Sequence, residues 1–240
     1  MSRPWYLRDW FAVDLETTGL DVDTDRIVTA ATARCVRGVP VETRTWLADA
    51  GRQDIPMEAT KVHGVATRHA HRYGQPVETV ARAVAAAVVE AANDGLPVVV
   101  ANAPYDLTLI SRELWRANVW RGIKPKSDLL ILDPLLLDWA LDKTREGRRR
   151  LNDLCHHYEV EHDRPHQADA DAAAAAAVAY RIVCHYPQLQ AMSLAEVHAA
   201  QVGWAVERAA ARQAYKRRTG DPSAVVGGHW PLIPQQGMAS

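Results

Sequence analysis

Asp14 and Glu16 stand two residues apart in the segment Trp10-Phe-Ala-Val-Asp-Leu-Glu16. If this segment is a strand, its period of two puts both acids on one face, beside Trp10 and Ala12. Neighbouring carboxylates on a buried strand repel each other and resist desolvation. A divalent cation resolves both problems. The plainer alternative, an edge strand with solvated acids, is disfavoured by the flanking Phe11, Val13 and Leu15.

Two further acids join this pair. Asp106 falls in the first turn of a helix that Pro104 opens, on the face of Leu109, Ile110 and Leu114. An acid near a helix N-terminus is favourable in itself, so Asp106 alone says little. Asp171 says more, because helical steps from it reach Ala175, Val178 and Ile182. A carboxylate on that buried face needs a cation, whereas Asp169 points the other way. The small residues Ala172 to Ala177 would let this helix lie close to a sheet and bring Asp171 to Asp14 and Glu16. His166, in the loop before that helix, could take a proton from water near neutral pH.

The elements that must position these groups are legible in outline. Strands are expected at Trp10 to Leu15, Ile27 to Val36, Val39 to Leu47, Val98 to Ala101 and Leu129 to Leu132, with a tight turn at Arg37-Gly38. Helices are expected at Val77 to Ala92, from Pro104, from Pro134, at Leu151 to Tyr158 and at Ala168 to Cys184. Hairpin strands followed by helix–strand alternation predict an α/β fold with a mixed sheet. Pro187 divides a catalytic domain, 1–187, from an extension, 188–240. In the extension, Ser193-Leu-Ala-Glu196 forms a capping box that starts a helix running to about Arg218. Val197, Ala200, Trp204, Ala211 and Tyr215 fall near one face of it. Arg208, Arg212 and Lys216 to Arg218 fall on the others. The expected role of the stripe is to cover a flank of the catalytic domain, with Trp230 to Ile233 as a clasp. A docking arm for a polymerase or a second copy is the alternative.

The chain has 240 residues and a net charge of −1, so nucleic acid could be held only by local patches. One such patch is Lys143-Thr-Arg-Glu-Gly-Arg-Arg-Arg150, either a solvated loop or a contact to a phosphate backbone. The three cysteines, Cys35, Cys155 and Cys184, form no C-x-x-C pair. With no signal-like N-terminus or long apolar run, they predict a reducing, cytoplasmic setting.

Taken together, Asp14-Leu-Glu16-Thr-Thr-Gly19, Asn102-Ala-Pro-Tyr-Asp106 and His166-Gln-Ala168-Asp-Ala-Asp171 resemble the three motifs of the DEDDh exonuclease family, with His63-Gly64-Val65 matching an element between the first two. Tyr105 stands where the family often has Phe. The motifs are in the family's order and span residues 10 to 184. They are similar to those of the proofreading epsilon subunit of bacterial DNA polymerase III. The resemblance implies an RNase H-like five-stranded mixed sheet and 3′→5′ hydrolysis of DNA more than RNA, in proofreading or repair. It implies two Mg²⁺ or Mn²⁺ ions held by Asp14, Glu16, Asp106 and Asp171, with His166 as general base. It also implies substrate contacts from Leu15, Thr17, His63, Val65 and Asn102.

Two rival readings stand beside it. The cluster Cys155-His156-His157, His162-Asp163 and His166 could belong to an HD-type or zinc phosphohydrolase, but those HD enzymes are all-helical and no paired zinc motif is present. An inactive exonuclease-fold binding subunit should lack one of the acids, and none is missing.

Overall fold

The computed structural model describes residues 3–119, 126 and 128–235. A single 3-10 turn leads into β1 (Asp9–Thr17), β2 (Ile27–Val36) and β3 (Val39–Asp49). Two short helices, α1 (Met57–His63) and α2 (Thr67–Tyr73), precede β4 (Gln75–Pro76) and the long α3 (Val77–Asn93). Then come β5 (Val98–Val99), α4 (Ala103–Arg116), β6 (Ile131–Leu132) and α5 (Pro134–Leu141). The described chain ends with α6 (Leu151–His157), α7 (Ala168–His185), α8 (Pro187–Ala191) and α9 (Leu194–Thr219).

The strands form one sheet in the order β4-β3-β2-β1-β5-β6. β1, β2 and β3 pair antiparallel, whereas β5 and β6 run parallel to β1. This is the RNase H-like mixed sheet, with all five expected strands present. The sixth, β4, is a two-residue parallel pairing on β3, too short to leave a periodic signal. At the β2–β3 hairpin both Arg37 (φ 53°) and Gly38 (φ 77°) are left-handed, as a two-residue turn requires. Gly38 also passes so close to α7 that an added Cβ would meet the Tyr180 Cβ at 2.9 Å.

β1 is buried on both faces, and its alternation sorts the core into two layers. Val13 and Leu15 join Val80, Val84 and Val88 of α3 and Leu109 and Ile110 of α4. Trp10 and Ala12 face the other way, against Ala172, Ala175, Ala176 and Ala179 of α7. All four alanines are fully buried, and their small side chains set this helix close to the sheet. α1 and α2 have no counterpart in the sequence reading, because seven-residue helices on the surface bury too little to show a stripe.

The C-terminal segment packs on the same core. Its capping box forms as read: Ser193 Oγ accepts from Glu196 N at 3.2 Å, and Ser193 N donates to the Glu196 carboxylate at 2.7 Å. The buried face of α9 is Leu194, Val197, Gln201 and Ala209, with Trp204 half-buried. The far end of the expected stripe is outside: Ala211 is exposed and Tyr215 is 58% exposed. Gln201 is fully buried, donating from Nε2 to Ile131 O and accepting at Oε1 from Asp133 N, both at 2.8 Å. Trp230 is buried, and Ile233 N donates to Thr108 Oγ1 at 2.8 Å, so the tail clasps α4. Residues 236–240 of the extension lie outside the described residues.

The basic loop 143–150 is largely structural. Arg145 and Arg149 both grip the buried carboxylate of Asp138, Arg145 at 2.8 Å, and Lys143 pairs with Glu207 at 2.9 Å. A charge with no solvent access must be paired, and Asp138 takes these two arginines away from any phosphate. Among the described residues, no helix is long and apolar enough to cross a membrane.

Candidate active site

The acids converge where β1 ends, at the carboxyl edge of the parallel strands. Asp14 and Glu16 lie on the face of β1 that α7 covers, each only 9% exposed. Asp106, in the first turn of α4, is 4% exposed and accepts from Leu15 N at 3.1 Å through Oδ1. α4 is held in place by Asp133, whose carboxylate accepts from Asn102 N at 3.2 Å and Ala103 N at 3.1 Å. Asp171, in the first turn of α7, completes the group.

Crowding leaves these carboxyls hard to ionise. Burial pushes Asp14 well above the usual carboxylate range, and Asp106, Asp171 and Glu16 add to it by repulsion. Glu16 is pushed up to about 7, by burial first and then by Asp171. Asp106 is raised by burial, against the bonds it accepts from Leu15 and its own backbone N–H; Glu16 and Asp133 push the same way. Asp171 is also raised by burial, with His162 opposing. Among the described residues, neither Lys nor Arg pairs with any of the four, and the one side-chain ion pair to them is from His162 to Asp171. A cluster of buried oxygen donors short of positive charge fits hard divalent cations.

Three histidines frame the acids. His166 sits in the left-handed region (φ 64°), a strained conformation for this residue, directly before α7. Its ring comes within ligand-sharing distance of Glu16 and Asp171: one donor atom from each lies within 4.8 Å of the others. His162 is the group that sequence reasoning assigned no role in the acid site. Its Nε2 lies 2.6 Å from Asp171 Oδ1, and its Nδ1 lies 2.5 Å from Asn152 Oδ1. The sequence singled it out only as the His162-Asp163 pair of the rival phosphohydrolase reading, since it sits in a loop nine residues before Asp171 and shares no period with it. His63 is the C-terminal residue of α1, which Gly64 ends at φ 80°. Its Nδ1 accepts from Val65 N at 3.2 Å, so Nε2 carries the proton, buried and without a hydrogen-bond partner. Burial lowers its pKa, against the pull of the Thr17 backbone, with His166 acting in the same direction as burial.

A cleft of about 410 Å³ opens beside His63 and His166, lined also by Val65, Ala168, Thr45 and Trp46. Of the expected substrate contacts, His63 and Val65 line this cleft. Leu15 is buried in the core, with its backbone N–H committed to Asp106. Thr17 is half-buried, and its hydroxyl bonds Gly19 O and the Tyr105 hydroxyl, both at 2.7 Å. The Tyr105 hydroxyl lies against both Thr17 Oγ1 and Gly19 O and gives its one proton to either, so a phenol here ties the loop after β1 to α4 as Phe could not. Asn102 lies elsewhere, exposed in a left-handed conformation (φ 64°) on the rim of a second cavity under α9.

The family model for RNase_T, described as exonuclease, matches residues 11–179. No curated protein matches the sequence. Among solved structures, E. coli exonuclease I in complex with a dA16 oligonucleotide is similar at 18% identity and TM-score 0.63, over 76% of this chain and 42% of that one. A moderately thermophilic exonuclease I from Methylocaldum szegediense is similar at 21% identity and TM-score 0.63, over 76% of this chain and 42% of that one. A zinc-bound E. coli ExoI–ssDNA complex has 18% identity and TM-score 0.64, over 75% and 41%. The chain thus spans less than half the length of these proteins, and at such identities the likeness is one of fold.

Proposed function

Because the chain belongs to the RNase_T exonuclease family, we propose that it is a 3′→5′ exonuclease that removes nucleoside 5′-monophosphates from single-stranded or frayed 3′ ends. The observation that carries this reading is the meeting of Asp14, Glu16, Asp106 and Asp171 in one buried cluster without a Lys or Arg partner. Two divalent ions, Mg²⁺ or Mn²⁺, held by these four residues would supply the positive charge that phosphodiester hydrolysis needs and acidify the attacking water.

The chain's own groups do the rest. His166, exposed at the mouth of the cleft and beside Asp171, takes the proton of the attacking water. The water oxygen bonds to the terminal phosphorus as the 3′-oxygen of the preceding nucleotide leaves. His162 and the His166 backbone N–H both bond Asp171 Oδ1, which fixes that carboxylate and leaves its second oxygen free. His63 and Val65 form the wall against the terminal nucleotide.

Single-stranded DNA is the favoured substrate, in line with the exonuclease I complexes with DNA oligonucleotides. Proofreading or repair in the cytoplasm is the corresponding role. The mixed sheet speaks against an HD-type phosphohydrolase, and the presence of all five catalytic groups against an inactive binding subunit. Degradation of a labelled single-stranded DNA beside the matching RNA tests both the activity and the preference: equal or faster loss of RNA would overturn the DNA assignment.

A further inference from the structure

The second cavity, about 380 Å³, lies between α9, the segment 226–233 and the start of α4. Arg208 and Arg212, one turn apart on α9, project into it. Arg208, expected on an outer face of its helix, is half-buried. Among the described residues, neither arginine makes a hydrogen bond or ion pair. Other half-buried or buried arginines do: Arg112 pairs with Asp23, Arg116 with Glu113, and Arg145 and Arg149 with Asp138. Asp133 offsets the charge of Arg208 from a distance but makes no hydrogen bond to it, since its two oxygens accept from the backbone N–H groups of Asn102, Ala103, Leu135 and Leu136. A half-buried guanidinium with unused donors calls for an anion.

Two features say which anion. The same arginines line an adjoining open depression with Trp139 and Tyr215. Tyr215 is exposed, and each ring has a cation beside it: Lys143 over Trp139 at 5.2 Å and Arg218 over Tyr215 at 5.6 Å. Cations interleaved with an exposed and a half-exposed aromatic ring suit a single strand, whose phosphates and bases meet them in turn. The rim of the cavity, Asn102 and Pro104, also opens the helix whose first turn carries Asp106, which places the two on the same end of α4.

We propose that α9 carries a track for single-stranded nucleic acid, in which Arg208 and Arg212 hold backbone phosphates and Trp139 and Tyr215 stack bases of the strand whose 3′ end lies at Asp14, Glu16, Asp106 and Asp171. The track rests on the exonuclease reading of that acid site. It gives the C-terminal helix a substrate-binding role beyond covering the core, and it explains how a chain of net charge −1 holds a polyanion.

The test compares wild type, the double variant R208Q/R212Q and Tyr215→Ala on a dinucleotide and on single strands of increasing length. Each added phosphate contact should matter only when the strand is long enough to reach it. The ratio of kcat/KM on long strands to that on the dinucleotide should fall about 3- to 10-fold for each lost contact. The slope of log KM against log salt for long strands should become shallower by roughly 1 per arginine. Fluorescence polarisation of labelled strands, with Ca²⁺ replacing Mg²⁺, reads binding without turnover. If wild type binds strands and loses this with the arginines but hydrolyses nothing, the track stands and the exonuclease reading falls. An unchanged length ratio and salt slope in the double variant would overturn the track. So would an equal loss on dinucleotide and long strand, which would make the arginines structural. Should deoxythymidine monophosphate inhibit wild type but not the double variant, the pocket holds released nucleotide instead of the strand.

Discussion

The backbone N–H of Leu15 donates to Asp106 Oδ1 at 3.1 Å, joining the residue between the two strand acids to the first turn of α4. This one bond fixes the third carboxylate against the first two. It also means that the acid cluster is assembled by the fold before any cation arrives. Folding must therefore tolerate the repulsion, and the tolerance is measurable.

Asp14 and Glu16 have pKa values raised above those of the unfolded chain, Glu16 to about 7. A carboxyl that binds its proton more tightly when folded destabilises the fold as pH rises past its unfolded pKa. The metal-free protein should therefore lose thermal stability as pH rises past the unfolded carboxylate range, with the share of Glu16 lost between about pH 4.5 and 7 and that of Asp14 adding to it. Mg²⁺ should restore the loss at pH 8 and have little effect at pH 5. Asp14→Asn should abolish nucleotide release while the metal-free Tm at pH 8 stays equal or rises. Calorimetric scans with and without EDTA check this, and a lower Tm for Asp14→Asn would contradict it.

His166→Ala should lower the turnover rate roughly 10²- to 10⁴-fold, the usual contribution of a general base. Metal affinity, read by isothermal titration with Mn²⁺, should stay near wild type. The ring lies within ligand-sharing distance of Glu16 and Asp171, so the alternative outcome is sharp. Weakened Mn²⁺ binding with chemistry rescued by excess metal would make His166 a ligand instead.

His162→Ala should loosen Asp171 and cost about 10- to 100-fold in metal affinity or in activity at limiting metal, as outer partners of metal ligands do. Saturating Mn²⁺ should recover much of the rate. Activity equal to wild type at limiting Mg²⁺ would remove His162 from the site.

Most of the convergence of the acids was legible because it obeys periodicity. Period two placed Asp14 and Glu16 together, and helical steps placed Asp171 over the sheet through alanines that are indeed fully buried. What stayed hidden has no period. His162 reaches Asp171 from a loop, α1 and α2 bury too little to leave a stripe, and β4 is a two-residue pairing. The basic loop stayed ambiguous because charge density in sequence says nothing about Asp138, the buried carboxylate that takes Arg145 and Arg149 of its four arginines. The inner half of the α9 stripe was read correctly at Val197 and Trp204, but Ala211 and Tyr215 lie beyond the domain surface.

Gln201 connects α9 to the site through Asp133, which in turn holds the start of α4. Gln201→Leu should leave Asp133 N and Ile131 O unpaired in the interior and lower stability by about 1–3 kcal/mol per group. Urea unfolding measures it; a change below 0.5 kcal/mol, about the effect of an ordinary surface substitution, would contradict the linkage.

The most direct test of the central claim follows a 5′-labelled single-stranded DNA incubated with Mg²⁺, beside the same strand carrying a blocked 3′ end. The four carboxylates and His166 predict stepwise shortening from the 3′ end, release of nucleoside 5′-monophosphates, arrest by EDTA, and no reaction at the blocked end or with Asp14→Asn. Internal cleavage, trimming from the 5′ end, or undiminished release by Asp14→Asn would contradict it.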